Sequence, residues 1–149
     1  MLVAIGREAN IQSLNLENVG IKLNNKNAIK VDKNLMTNIK NIFAVGDVTD
    51  RINLTPVAIA EGQFLSEKLF GKNNNKNVDL NNIGTAVFSS PPISSIGPTE
   101  NNAAKVYKNI EIYESKFTSL KYSIVNKKIP TYIKLIVNGN NKRVIAAHM

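Results

Sequence analysis

Apolar residues fall along the chain in short runs, and the run at residues 42–45 is the most informative. Ile42, Phe43, Ala44 and Val45 stop abruptly at Gly46-Asp47, the pattern of a buried strand that delivers an acid at its carboxyl end. A helix is predicted over residues 55–70. Thr55 can accept hydrogen bonds from the amides of a first turn, Pro56 suits the first helical position, and Ala58, Ile59, Phe64, Leu65 and Leu69 follow at helical spacing up to Gly71. Strand, acid, loop and capped helix make one ligand-facing unit.

The rest of the chain reads as short elements. Residues 2–5 form a strand candidate running into Gly6-Arg7. Leu14, Leu16, Val19 and Ile21, then Ile29 and Val31, flank the turn-forming Asn24-Asn25-Lys26-Asn27 and predict a small β-ribbon. The polar stretch through Asn77 has no periodic hydrophobicity and marks a domain boundary. Beyond it, residues 85–88 read as a strand, Pro91-Pro92 as a break, Thr99-Glu100 as the start of a helix through Tyr107, and residues 110–113 as a half-buried strand. Residues 131–137 and 143–147 flank Asn138-Gly139-Asn140-Asn141, whose glycine and asparagines tolerate the positive φ of a hairpin turn.

Composition narrows the function classes. An apolar share of 43% over 149 residues supports a packed core in one domain or two small ones. No apolar run is long enough to cross a bilayer, and no basic n-region precedes Leu2, so a cytoplasmic protein without a membrane partner is expected. The net charge of +8 comes from lysines scattered among asparagines, without an aromatic-flanked basic cluster, which argues against a nucleic-acid partner. There is no cysteine, so the chain holds neither a disulfide nor a thiolate nucleophile or metal ligand. His148, the only histidine, has no neighbouring acid in a strand-like run and reads as structural.

Chemistry concentrates at the first unit. Asp47 offers acceptors, while the Thr55-Pro56 helix start offers amide donors and the positive end of a dipole. A ligand with both hydroxyls and acceptor atoms satisfies the two ends, and a flavin dinucleotide is such a ligand. The structural alternatives are that Asp47 caps the next turn and that Leu54 and Thr55 merely start a helix.

Three separated words, AIGR at residues 4–7, VGDVTDRINLTPVAIAEG at 45–62 and FSSPPISSIGPTE at 88–100, occur in an order and at spacings that resemble the pyridine nucleotide-disulfide oxidoreductase family, most closely its glutathione reductases. The resemblance covers the whole chain. It implies an α/β with α+β fold: residues 1–8 end an NADPH-binding domain, 9–78 form the second segment of a Rossmann-like FAD-binding domain, and 79–149 form an antiparallel interface (dimerisation) domain truncated at its carboxyl end.

The resemblance also implies a parent enzyme, a homodimer that uses NADPH and FAD to reduce glutathione disulfide. Gly46, Asp47, Leu54 and Thr55 would contact FAD, with the Asp47 carboxylate at the ribityl chain and the Leu54-Thr55 backbone at the pyrimidine edge of the ring. Gly6, Asn53 and Ala86 match positions lining the NADP side, although leucine and valine occur in some members where Asn53 and Ala86 stand. Gln63 matches a substrate-contacting arginine and keeps hydrogen bonding without the charge. The family's redox-active cysteines and its acid-base histidine have no counterpart here, so no catalytic residue and no metal ligand is assigned, and the chain alone is expected to be inactive. Sibling enzymes of the dihydrolipoyl dehydrogenase, mercuric reductase and trypanothione reductase types share Gly46-Asp47 and Thr55-Pro56. A different class is a stand-alone flavin-binding or interaction module.

Overall fold

The computed structural model of the chain describes residues 1–72, 78–124 and 129–149, which divide into two units, Met1–Leu80 and Asn81–Met149. Most of the polar stretch expected to form the interdomain loop, residues 73–77, lies outside the described residues.

The first unit is built on Ala9, Ile11, Ala28, Ile29 and Ala44, a buried cluster against which Leu16, Ile21, Val31 and Val48 pack. Its chain is turn-rich rather than sheet-forming. The expected ribbon is reduced to one bridge, Leu23 to Ile29, because side-chain acceptors replace the ladder. Asn24 Oδ1 accepts the amides of Lys26 and Ala28 at 2.9 and 3.0 Å, and Asp32 Oδ1 accepts those of Asn34 and Met36 at 2.8 and 3.0 Å. Single 3-10 turns at Gln12–Leu14 and Leu16–Val19 occupy the stretch where alternation predicted extended chain.

Two further strand expectations are corrected. Residues 42–45 do not form a regular strand; Phe43 makes one bridge to Met36, and Ala44 donates its N–H to Leu35 at 3.1 Å. The reason lies in the tight loop opposite, where the Thr37 hydroxyl and amide both bond to the Ile42 carbonyl and end the pairing. The expected burial of the run holds only for Ala44; Ile42, Phe43 and Val45 are half-buried. Residues 2–5 are exposed and find no partner strand among the described residues.

Helix α1 spans Thr55–Phe70. Its N-cap is Leu54, in extended geometry, and the Leu54 carbonyl accepts the amides of Val57 and Ala58 at 3.0 and 3.1 Å. Thr55 is the first helical residue, and no side chain caps the helix, so the expectation that the Thr55 hydroxyl caps it is corrected. Pro56, which has no N–H to satisfy, is the second helical residue, one position after the first place expected for it and still within the first turn. The buried stripe runs through Val57 and Glu61, one turn apart, whereas Ile59, Leu69 and Phe70 are exposed.

The second unit is a five-stranded antiparallel sheet with order β1-β2-β5-β4-β3, formed by Thr85–Val87, Ile93–Ile96, Ile110–Thr118, Pro130–Asn138 and Val144–His148 in chain order. The hairpin β4–β5 forms as predicted, with Leu135 opposite Ala147 and an irregularity between Ile136 and Val137. Its turn departs from expectation in one respect: the positive φ falls on Lys142 (φ 58°), not on Gly139 or an asparagine.

Helix α2, Glu100–Val106, starts where the sequence placed it, with the Thr99 hydroxyl accepting the Asn102 amide. It buries Ala103 against Ile136 and Ala146, with Tyr107, Ile110, Ile112 and Ile145 packed around them. Gly97 turns the chain from β2 toward α2 at φ +81°, and a Cβ there would lie 2.4 Å from the Ile145 carbonyl oxygen. A short helix α3, Leu120–Ser123, follows β3. Ala147 and Ile133 fall at alternate positions to Ala146 and Ile136 and, with Ala86 and Ile96, line an open groove of about 420 Å³.

Candidate functional site

The Gly46-Asp47 turn is fixed by contacts that the sequence reading did not identify. Gly46 begins a 3-10 turn, Gly46–Thr49, with φ +70°, a conformation that favours glycine. The turn packs on α1 so closely that a Cβ at Gly46 would stand 3.0 Å from the Ala58 Cβ. Glycine is therefore required twice at this position, by backbone angle and by contact distance.

Three hydrogen bonds hold the turn. The Gly46 N–H donates to Glu61 Oε2 at 2.7 Å, the Thr49 hydroxyl donates to the Gly46 carbonyl at 2.8 Å, and the Asp50 N–H donates to the Asp47 carbonyl at 3.0 Å. Glu61 is 1% exposed, and its second oxygen pairs with the Arg51 guanidinium at 2.5 Å. A buried carboxylate is tolerable here because both oxygens are partnered, one by a backbone amide and one by a cation. The Arg51 Nε, also buried, has no partner among the described residues.

Asp47 itself is exposed, and its carboxylate makes no hydrogen bond among the described residues. It emerges beside the amino-terminal half of α1, because Gly46 is seated between Ala58 and Glu61. At the helix start, the Thr55 N–H lacks an acceptor among the described residues, while the amides of Leu54, Val57 and Ala58 are bonded to Ile52 and Leu54 carbonyls. One unit thus carries a free carboxylate and a helix amino terminus with an unspent donor, an arrangement able to receive hydroxyls at one end and an acceptor group at the other.

The remaining sequence candidates are dispersed. Asn53 is exposed and spends its side-chain amide on Asp50 Oδ1 at 2.8 Å, helped by Lys26, whose ammonium lies 3.1 Å from the same carboxyl group. The Asn53 bond and the Lys26 partner together hold the Asp50 carboxyl below the ordinary carboxylate range. Gln63 is exposed on α1, and Gly6 lies in the exposed amino-terminal segment. Ala86 belongs to β1 of the other unit, where it lines the groove. His148 sits on β5 opposite Ser95 and Lys134, its Nε2 3.2 Å from the Pro98 carbonyl oxygen. No group of three or more metal-ligating acids or histidines exists among the described residues. No helix among them is long and apolar enough to cross a membrane.

Sequence reasoning missed Glu61 and Arg51. A signal was present: Glu61 stands one turn after Val57 on the inward stripe of α1, where an acid requires a partner, and Arg51 is the nearest cation that precedes it in the chain.

Comparison with known proteins identifies the family and the fold. The pyridine nucleotide-disulphide oxidoreductase model matches residues 1–62, and that family's dimerisation-domain model matches residues 83–149. Over its whole length the chain is 39% identical to a glutathione reductase of Yarrowia lipolytica and 41% identical to one of Burkholderia cepacia, covering 33% of each. It is also 41% identical to a trypanothione reductase of Trypanosoma congolense, covering 30% of that protein. Among solved structures, the HOCl-induced flavoprotein disulfide reductase RclA from Escherichia coli superposes with a TM-score of 0.84 at 30% identity, over 99% of this chain and 34% of that one. The chain spans about a third of the length of these relatives. The two matched models and the whole-length identity make this chain a member of the pyridine nucleotide-disulphide oxidoreductase family, carrying part of its flavin-domain fold and its antiparallel dimerisation fold.

Proposed function

We propose that this chain is the flavin-facing and subunit-interface segment of an NADPH-dependent glutathione-disulfide reductase. The observation that carries the reading is the Gly46-Asp47 turn held against the start of α1, with the Asp47 carboxylate and the Thr55 N–H both free of protein partners among the described residues. The residues present suit FAD. Asp47 would accept hydrogen bonds from ribityl hydroxyls, and at the Leu54-Thr55 helix start the Thr55 N–H would donate to the pyrimidine edge of the ring, where the positive end of α1 stabilises negative charge. FAD supplies the electron-transfer chemistry when bound, and this chain contributes placement and electrostatics.

In the same reading, residues 1–8 end the NADPH domain, 9–78 belong to the FAD domain and 79–149 to the homodimer interface. Gly6, Asn53 and Ala86 lie on the NADP side, and Gln63 faces the disulfide substrate. The glutathione assignment is supported by the whole-length identities of 39% and 41% to glutathione reductases. A sibling substrate is the second reading, on two observations: the trypanothione reductase is equally similar at 41%, and Gln63 puts a neutral amide at the position where the resemblance expects an arginine. Reduction in the cytoplasm to maintain a thiol pool is the role that fits either substrate.

The test is NADPH oxidation by the full-length gene product, with glutathione disulfide and trypanothione disulfide compared at equal concentration. A kcat/KM for glutathione disulfide at least about tenfold above that for trypanothione disulfide supports the proposal. The reverse ranking replaces glutathione with its sibling, and a protein that binds no FAD removes the reading altogether.

A further inference from the structure

We infer that Glu61 is the positioning residue of the Gly46-Asp47 turn, and that Arg51 acts through it, so that the pair sets where the Asp47 carboxylate is presented to a bound flavin. The inference rests on the flavin reading above and adds two residues that the reading does not use.

The geometry is specific. Gly46 at φ +70° directs its N–H into α1, where Glu61 Oε2 receives it at 2.7 Å. Backbone hydrogen bonds of this kind usually end on a carbonyl; here the acceptor is a carboxylate whose side chain is 1% exposed. An ionised acceptor makes a stronger bond, and in a dry setting it also orients the donor more tightly. Arg51 neutralises the other oxygen at 2.5 Å, which allows a charge to remain buried at that point. Both residues follow the turn in sequence: Arg51 comes just after its cap residue Asp50, and Glu61 lies on the helix about one turn beyond Ala58, the residue that a Cβ on Gly46 would meet.

Asp47, in contrast, has no side-chain bond of its own among the described residues. Its direction is inherited from the peptide that precedes it. The carbonyl of that peptide, belonging to Gly46, accepts the Thr49 hydroxyl, Glu61 holds the N–H on the other side of the same glycine, and Ala58 limits the approach of Gly46 to the helix. Loss of Glu61 releases the hydrogen bond that, among the described residues, ties the turn to α1, and the free acid then samples directions a flavin does not use.

The experiment is a double-mutant cycle on FAD affinity in the full-length protein, stripped of flavin and titrated back, with Glu61→Gln, Asp47→Asn and the pair combined. Glutamine keeps the shape and one acceptor while removing the charge. Each single variant is expected to weaken FAD by about tenfold, and the combined variant by less than about threefold beyond Asp47→Asn alone, because Glu61 acts through Asp47. A merely structural Glu61 gives independent losses that multiply to about a hundredfold. That result, or an unaltered affinity in Glu61→Gln beside a weakened Asp47→Asn, overturns the inference. Unaltered affinity in Asp47→Asn overturns the flavin reading instead. If Glu61→Gln does not fold, Arg51→Gln replaces it in the same cycle, with the same two outcomes. A readout without ligand accompanies it: in the 149-residue chain the Gly46 amide proton resonance should shift upfield in Glu61→Gln, and an unmoved resonance also overturns the inference.

Discussion

The carboxylate of Glu61 accepts the backbone N–H of Gly46 at 2.7 Å, joining the middle of helix α1 to the turn that carries the candidate ligand-binding acid. Removing it should be costly. Glu61→Ala leaves the Arg51 guanidinium and the Gly46 amide without their partner and opens space on the buried stripe beside Val57. A loss of about 3 kcal/mol is expected, because a broken buried pair strands the remaining charge, and partial exposure of Arg51 places the cost at the lower end of the usual range. Urea unfolding followed by circular dichroism measures it, and a loss below about 1 kcal/mol contradicts the buried-pair description.

Gly46→Ala tests the second restraint on the same turn. The methyl group would meet the Ala58 Cβ at 3.0 Å and would force a side chain into φ +70°. Left-handed backbone alone costs about 1–2 kcal/mol for a residue with a Cβ, and the contact adds to it. Pairing the change with Ala58→Gly removes the contact and leaves the backbone term, so the double variant should recover only part of the loss once the helix penalty of the new glycine is allowed for.

The sheet unit has its own sensitive point. Ile136 is fully buried against Ala103 and Ala146, so Ile136→Ala removes methylene groups from a site that two small neighbours cannot refill. The expected cost is about 3 kcal/mol, readable as loss of protection of the β4 and β5 amides in hydrogen exchange. Ile133→Ala, on the groove side of the same strand, should cost clearly less.

These outcomes also mark what was legible in the sequence. Helix α1, the β4–β5 hairpin and α2 were readable because each is specified locally, by Pro56 and Gly71, by the asparagine-rich turn, and by the Thr99 cap. The first fifty residues were not, because Asn24 and Asp32 divert amides that the apolar alternation assigns to strands, and periodicity carries no information about that competition. Asp47 and the helix start were visible as chemistry. The Glu61–Arg51 pair was not, because a buried salt bridge depends on which helix face turns inward, and that is decided by tertiary packing.

Acid should unfold the first unit partly through Asp32. Desolvation raises its pKa, but the amides of Met36 and Asn34, the Asn34 side chain and the nearby Lys68 outweigh it and lower the carboxyl below its ordinary range. A carboxyl lowered in the folded state contributes stability that is present above its unfolded pKa and is lost as pH falls through the folded value. The contribution of Asp32 is therefore full at neutral pH, starts to be lost as pH falls toward about 3.9, and is gone only below the lowered folded value. Asp32→Asn should lower stability at pH 7 and flatten its fall between about pH 5 and 2, measured as Tm against pH. An unchanged slope would falsify this assignment.

The last prediction concerns the purified 149-residue chain, which should show no NADPH-dependent glutathione-disulfide reductase activity. Dithiol-disulfide exchange requires a thiolate, and the sequence contains no cysteine. Neither dinucleotide has a glycine-rich pyrophosphate turn to rest on within these residues, and the sole histidine is a strand residue whose ring nitrogen faces the Pro98 carbonyl, with no acid partner among the described residues. Flavin affinity should also be low, since Asp47 and the Thr55 helix start provide one wall of a cavity, and immobilising a ligand against a single wall leaves its lost freedom poorly offset. The assay is coupled NADPH oxidation with added FAD and glutathione disulfide, on protein freed of host reductases. Turnover that tracks the purified chain and vanishes in Asp47→Ala would show that these residues assemble a working centre without a thiol, and the division of labour proposed for Asp47, Glu61 and the helix start would have to be abandoned.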